Sequence, residues 1–332
     1  MAIDEVIEQI NMLNKKGVAL ADKGKYDTAF EEHMQALHLT EENKGKVNPD
    51  YNAVTRANLG YAIRWSANDR EEALDYMLEE AQEGESLKQR VDRTLGKIES
   101  DSKEVNMPET YCGRARLLEE IGLVIRYNDQ GTEDLKQGLG YIEDSISFYE
   151  KALENKDNEA THHFGIKDRF YRTTGIAATL ALKLGDRAKA LQYAQKEVDE
   201  RKKNGETKGF GLMNAYHTLG VVQTEWVRTD KTVYAAAKEN LQRAGVLAGE
   251  LEGHKVVPSV LEFRFAWLDY VTNPEENARN IRGHMRSVLG AQDDDETAWP
   301  LNIRAALKDQ MFELGKFAGP GYLAKIEQMY AE

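Results

Sequence analysis

The sequence predicts an all-α protein, a solenoid of antiparallel helical hairpins, on three observations. Apolar residues recur at steps of three and four from Ile3 to Tyr330, and no segment alternates apolar and polar residues as a strand would. Short polar turns such as Asp22-Lys23-Gly24-Lys25 and Leu184-Gly185-Asp186 interrupt the helical stretches with a glycine where a helix stops. Small residues return at matched places on consecutive helices, where they let two helices approach closely. Gly17 and Ala29 are the first such pair.

The elements follow in order. Residues 3–21 and 26–41 form the first hairpin, with Leu13, Leu20, Phe30 and Leu37 as apolar contacts. Asn48-Pro49-Asp50 opens the second, whose first helix carries Asn58-Leu59-Gly60. From Arg70 the apolar positions Ala73, Met77, Leu78, Ala81, Leu87, Val91, Leu95 and Ile98 read as one long helix over about 70–99, bent near Gly84. A polar linker covers 100–107. The third hairpin holds Leu118, Ile121, Gly122 and Ile125, a turn at Asn128-Asp129-Gln130-Gly131, and then Tyr149-Glu150-Lys151-Ala152-Leu153. The fourth spans roughly 158–200. The fifth carries His217-Thr218-Leu219-Gly220 and a loop at Arg228-Thr229-Asp230. Beyond it, Val260, Phe263, Trp267 and Val271 form an aromatic stripe. Helices over 297–315 and 321–331 end the chain, the last placed to cover the open end of the stack.

The second helices share a spacing: Ala29-x3-His33-x2-Ala36, Ala73-x3-Met77, Ser145-x3-Tyr149-x2-Ala152, Ala190-x3-Ala194 and Ala237-x3-Leu241-x2-Ala244. In this the chain resembles the tetratricopeptide repeats, with His33 where an aromatic is usual. The resemblance implies a right-handed superhelix whose first helices line a concave groove. It covers residues 1–254 as five irregular hairpins, with 255–332 as divergent helices capping the array. The period departs from the family. Gly17, Gly60, Gly122, Ala178 and Gly220 are 43, 62, 56 and 42 residues apart, against about 34 in the regular repeat. Longer helices and an irregular superhelix follow.

Composition narrows the function classes. The 332 residues carry a net charge of −13, which argues against a surface built for nucleic-acid backbones. Charged residues at 30% and hydrophobic ones at 41% suit the high surface-to-core ratio of a solenoid. The single cysteine, Cys112, cannot form an intramolecular disulfide and reads as a small buried hydrophobe, consistent with a reducing, cytoplasmic setting. No basic leader with an apolar core and no run of about 18 apolar residues is present, so no membrane partner is expected.

Chemistry-bearing motifs are sparse. Gly138-Leu139-Gly140 lacks the third glycine of a phosphate loop and a strand before it. Asp293-Asp294-Asp295-Glu296 lacks the central glycine and terminal glutamate of a calcium loop. The histidines do not fall at metal-ligand spacings, and neither cofactor nor metal is expected. An enzyme is therefore the least favoured class, since function must be argued from a site.

One constellation stands above background. Counting along the first helices from each small residue puts Asn11 and Asn14, then Arg64, then Arg116, Glu119 and Arg126, then Arg172 and Thr179, then Asn214 and His217 on the inward face. Asn58, two residues before Gly60, joins them as a candidate, with a hydrogen bond to the adjacent repeat's backbone as its alternative. Arginine forks suit carboxylates and phosphates, and asparagine amides can grip an extended backbone. The candidate groove residues are thus Asn14, Asn58, Arg64, Arg116, Arg126, Arg172, Asn214 and His217. A competing reading pairs the arginines with acids of neighbouring helices, which 57 acidic residues make easy. The leading expectation is a protein- or peptide-binding scaffold for an acidic or extended segment. A structural subunit or homo-oligomer joined through the aromatic stripe stays open beside it, as does a sensor of short signalling peptides.

Overall fold

The computed structural model describes residues 2–21, 23–66, 69–104, 111–127, 131–154, 165–251, 255–293, 297–299 and 301–331. Among them are 15 α-helices and no strand, so the chain is all-α. Two compact units divide it, Met1–Leu184 and Gly185–Glu332. The expected division at 254/255 falls inside the second unit.

The first unit contains α1 (Ile3–Ala21), α2 (Tyr26–Glu42), α3 (Pro49–Ser66), α4 (Arg70–Met77), α5 (Leu87–Glu104), α6 (Cys112–Tyr127), α7 (Thr132–Glu154) and α8 (Ile166–Lys183). Hairpin partners pack together, as α1 with α2, α3 with α4 and α6 with α7. First helices also meet one another, α1 with α3 and α3 with α6. Gly24 closes the first turn at φ +72°, a left-handed conformation that costs glycine nothing. Asp69 caps α4 by accepting the Glu72 N–H at 3.0 Å. The turn expected at Asn128-Asp129-Gln130 and the start of the fourth hairpin at 158–164 lie outside the described residues.

The long helix expected over 70–99 is two helices. α4 stops at Met77, Leu78 turns extended, and a loop leads to α5 at Leu87. Arginines replace the lost helical hydrogen bonds. Arg90 Nε donates to the Glu79 carbonyl at 2.7 Å, and Arg93 bonds the Glu80 carbonyl and both Glu85 oxygens at 2.7–2.8 Å. Apolar spacing ran on across the break because Leu78 and Leu87 pack into the same core on either side of it. α5 also continues to Glu104, into the stretch read as a linker.

α6 is the central element. Residues 112–125 are all buried, with α3, α4 and α7 around the helix. Its crossing with α7 is close because two glycines face each other. A Cβ on Gly122 would lie 2.9 Å from the Gly138 carbonyl oxygen, and one on Gly138 would lie 3.1 Å from that of Gly122. Backbone cannot rotate aside as a side chain can. Gly122→Ala should therefore destabilise the first unit by about 1–3 kcal/mol through overpacking. Gly140→Ala, also in α7 but with nothing near its Cβ, should stabilise by about 0.5–1 kcal/mol. Urea unfolding of the two variants checks the contrast.

The second unit holds α9 (Arg187–Lys203), α10 (Phe210–Val227), a 3-10 turn at Lys231–Val233, α11 (Tyr234–Gly249), α12 (Val257–Thr272), α13 (Ala278–Ala291), α14 (Leu301–Ala318) and α15 (Pro320–Ala331). α12 packs on α10 and α11 before it and on α13 and α14 after it. The aromatic stripe expected to mark an interface is covered within this unit. Phe263 and Trp267 are buried with Ile281, Met285, Met311 and Ile326, and Trp299 meets Phe263 edge-on at 5.6 Å. Among the described residues no helix is long and apolar enough to cross a membrane.

A cationic cleft on the first helices

The first helices of the first unit line a cleft of about 310 Å³. α1 contributes Asn11, Asn14, Lys15, Val18 and Ala19, and α3 contributes Val54 and Asn58. Cys112 and Arg116 come from α6, Tyr149 from α7, and Ile166 and Arg169 from α8. Three of the lining side chains are cations, three are asparagines and none is a carboxylate.

One wall is a polar network spanning three helices. Asn14 Oδ1 accepts from Asn58 Nδ2 at 3.2 Å and lies 3.0 Å from His33 Nδ1, while Asn14 Nδ2 donates to Thr55 Oγ1 at 2.8 Å. The amide oxygen can only accept, so His33 carries its proton on Nδ1, and its buried Nε2 has no partner among the described residues. Gly17 makes room for this ring, since a Cβ there would overlap the His33 imidazole. Burial, and then the Arg116 charge, push the His33 pKa down to about 4. The ring is neutral at physiological pH.

Beneath the cleft lies a buried ion cluster. Glu119 and Glu120 are fully buried on successive positions of α6. Glu119 Oε1 accepts from Arg172 Nη2 at 2.8 Å and Oε2 accepts from the Tyr149 hydroxyl at 2.9 Å. Arg116 Nη1 at 3.3 Å and Arg169 Nη1 at 3.7 Å complete the charges around that carboxylate. Glu120 takes Arg64 Nε at 2.6 Å and Arg116 Nη1 at 3.3 Å. Burial would raise the Glu119 carboxyl, but Arg116, Arg172 and Arg169 outweigh it and hold it well below the carboxylate range. Burial, and then the Glu119 charge, raise the Tyr149 hydroxyl well above its usual value. Burial, and then the like charge of Arg116, lower Arg169.

The sequence-predicted residues divide three ways. Asn14, Asn58 and Arg116 meet in this cleft. Arg64 and Arg172 take part in the ion cluster behind it: Arg64 is buried against Glu120, with Tyr61 and Trp65 each 5.3 Å from its guanidinium. Arg172 is half exposed on Glu119. Arg126 is half-buried in the last turn of α6 and lines no part of the cleft. Asn214 and His217 belong to α10 of the second unit. There burial, and then the Arg264 charge, push His217 down to about 3. Pairing of arginines with acids of neighbouring helices thus accounts for Arg64 and, in part, for Arg172, while Arg116 pairs with Glu119 and Glu120 of its own helix. The Asn14 amide is spent mostly on holding helices together.

Counting from the sequence missed Arg169, Lys15 and Glu120. Arg169 lies one helical turn before Arg172 and shares its face, a signal that was available. Glu120 was out of reach, because an amphipathic count assumes an outward face and α6 has none. No known family's sequence profile matches the chain, and no curated protein matches it.

Proposed function

We propose that this chain is a non-enzymatic binding scaffold of the tetratricopeptide kind, a right-handed α-solenoid that takes an acidic, extended segment of a partner protein against its first helices. One observation carries this reading: in a chain of net charge −13, the cleft on those helices presents Lys15, Arg116 and Arg169 and no carboxylate. Electrostatic complementarity of this kind selects acidic partners and repels the protein's own acidic surface. Asn11 and Asn58 supply amide groups for a peptide backbone. The lone buried cysteine fits a reducing, cytoplasmic setting.

Selection of a random displayed peptide library against the immobilised protein tests the proposal. Asp and Glu should be enriched among the captured peptides, and their affinity should fall as salt rises. Arg169→Gln should weaken the selected peptides by about tenfold or more, the range for losing one charge-assisted hydrogen bond. Arg243→Gln, an exposed change in the second unit, should leave them unchanged. Selected peptides without acidic residues, or indifferent to Arg169, would overturn the reading.

A further inference from the structure

Cys112 is the only cysteine of the chain and the first residue of α6. It lines the cleft together with Arg116, one helical turn further along the same face. Arg169 of α8 and Lys15 of α1 complete the cations of that lining, and no carboxylate belongs to it. Arg116 is 5% exposed, and its buried Nε–H has no partner among the described residues. It keeps that donor unspent although its Nη1 serves Glu119 and Glu120. Burial, and then the like charge of Arg116, lower Arg169, so both guanidiniums gain from a further anion in the space they share.

The surroundings of Cys112 decide which groups act on its sulfur. Asp50 of α3 accepts the Gly113 N–H at 3.2 Å, so a carboxylate already caps this helix terminus. The arginines, and not the terminus, are what favours negative charge at Cys112. Tyr111, just before it, has a left-handed φ of +59° and packs on Phe148 at 6.1 Å and on the Arg114 guanidinium at 4.8 Å. Those contacts fix the first turn of α6. Cys112 is 2% exposed, so the approach to it runs along the cleft, whose volume of about 310 Å³ admits a small group.

We propose that Cys112 is a site of reversible thiol–disulfide exchange, reached along the cleft by small disulfides that carry no positive charge, with Arg116 and Arg169 stabilising its thiolate. The proposal stands apart from the scaffold reading, since it asks nothing of a partner protein. In the step, the Cys112 thiol gives its proton to solvent and the thiolate attacks one sulfur of a disulfide R–S–S–R. A bond forms between Cys112 Sγ and that sulfur, the R–S–S–R bond breaks, and R–S⁻ leaves and takes up a proton. The Cys112 sulfur is oxidised and the departing sulfur is reduced, so the disulfide is the only oxidant needed. Excess thiol runs the step backward. A cysteine buried among apolar groups alone is inert. The arginines on the same wall set Cys112 apart from that case.

Incubation of the full chain at neutral pH with hydroxyethyl disulfide, or with cystamine, a cationic disulfide of like size, tests the proposal by intact mass. The folded chain should gain one adduct, absent from Cys112→Ser and removed by excess mercaptoethanol. A thiol reached only through global unfolding reacts at its rate in urea multiplied by the unfolded fraction. The folded chain should exceed that rate by about tenfold or more. Folding should also turn selectivity against cystamine by about threefold or more, because cations line its path. Arg169→Gln should slow the neutral reagent by about threefold or more and relax that selectivity. Should Arg169→Gln fold poorly, Ala19→Trp, at an exposed position on the rim, should slow both reagents by narrowing the mouth. Arg243→Gln in the second unit should change neither rate. No adduct on the folded chain overturns the proposal. So does a rate equal to that of global unfolding, or an adduct rate indifferent to disulfide charge and to the cleft variants.

Discussion

Replacing Glu119 by glutamine should destabilise the first unit by about 3–5 kcal/mol, the cost of breaking a buried ion pair on one side. The carboxylate is fully buried, and Arg116, Arg169, Arg172 and the Tyr149 hydroxyl converge on it. Glutamine has the same shape, so packing is kept and the charge alone is removed. Its amide oxygen can still accept from Arg172. Its amide nitrogen is a donor facing donors, and three guanidiniums lose the anion they share. Arg172 is half exposed and can turn to water. Arg116 cannot, and it carries most of the penalty. Glu133→Gln breaks an exposed pair with Lys136 and should change stability by less than about 1 kcal/mol. Urea unfolding of both variants gives the comparison. A loss at Glu119 no larger than at Glu133 would mean that the cluster is not the electrostatic centre of this unit.

Mild acid should unfold the first unit before carboxylates account for it. His33 has a folded pKa of about 4 against an ordinary value of 6.5, so the unfolded chain takes up the proton first. The neutral ring's contribution is whole above pH 6.5 and is lost as pH falls from 6.5 toward 4. Below that the loss levels off at about 3 kcal/mol. Glu119 adds to it at lower pH. Its folded pKa is depressed, so its contribution is present above the ordinary carboxylate value and disappears as pH falls through the folded one. His217 acts in the same direction in the second unit. His33→Phe keeps a ring beneath Gly17 but cannot titrate. At pH 7 it should be less stable by about 1 kcal/mol for the lost hydrogen bond to Asn14, and its stability should stay level from pH 6.5 to 5. An unchanged slope in His33→Phe would place the acid sensitivity elsewhere.

Helices and turns were legible because they are local. Periodic apolar positions and Gly24 and Gly185 as stops act within a few residues of themselves. The inward placement of Asn14 and Arg116 was legible for the same reason, since a face follows from counting along one helix. The break after Met77 was not, because the apolar spacing on its two sides stays in phase while arginines from α5 satisfy the loop. The partners of the arginines were not either. Arg64 and Glu120 are 56 residues apart, and they meet because α3 packs directly on α6 past the intervening α4 and α5. Arg172 and Glu119 are 53 residues apart, and Asn14 and Asn58 are 44. A helix face can be read from spacing. Which helices close around it, and so whether an arginine on that face meets a buried glutamate or an open cleft, depends on packing between distant segments.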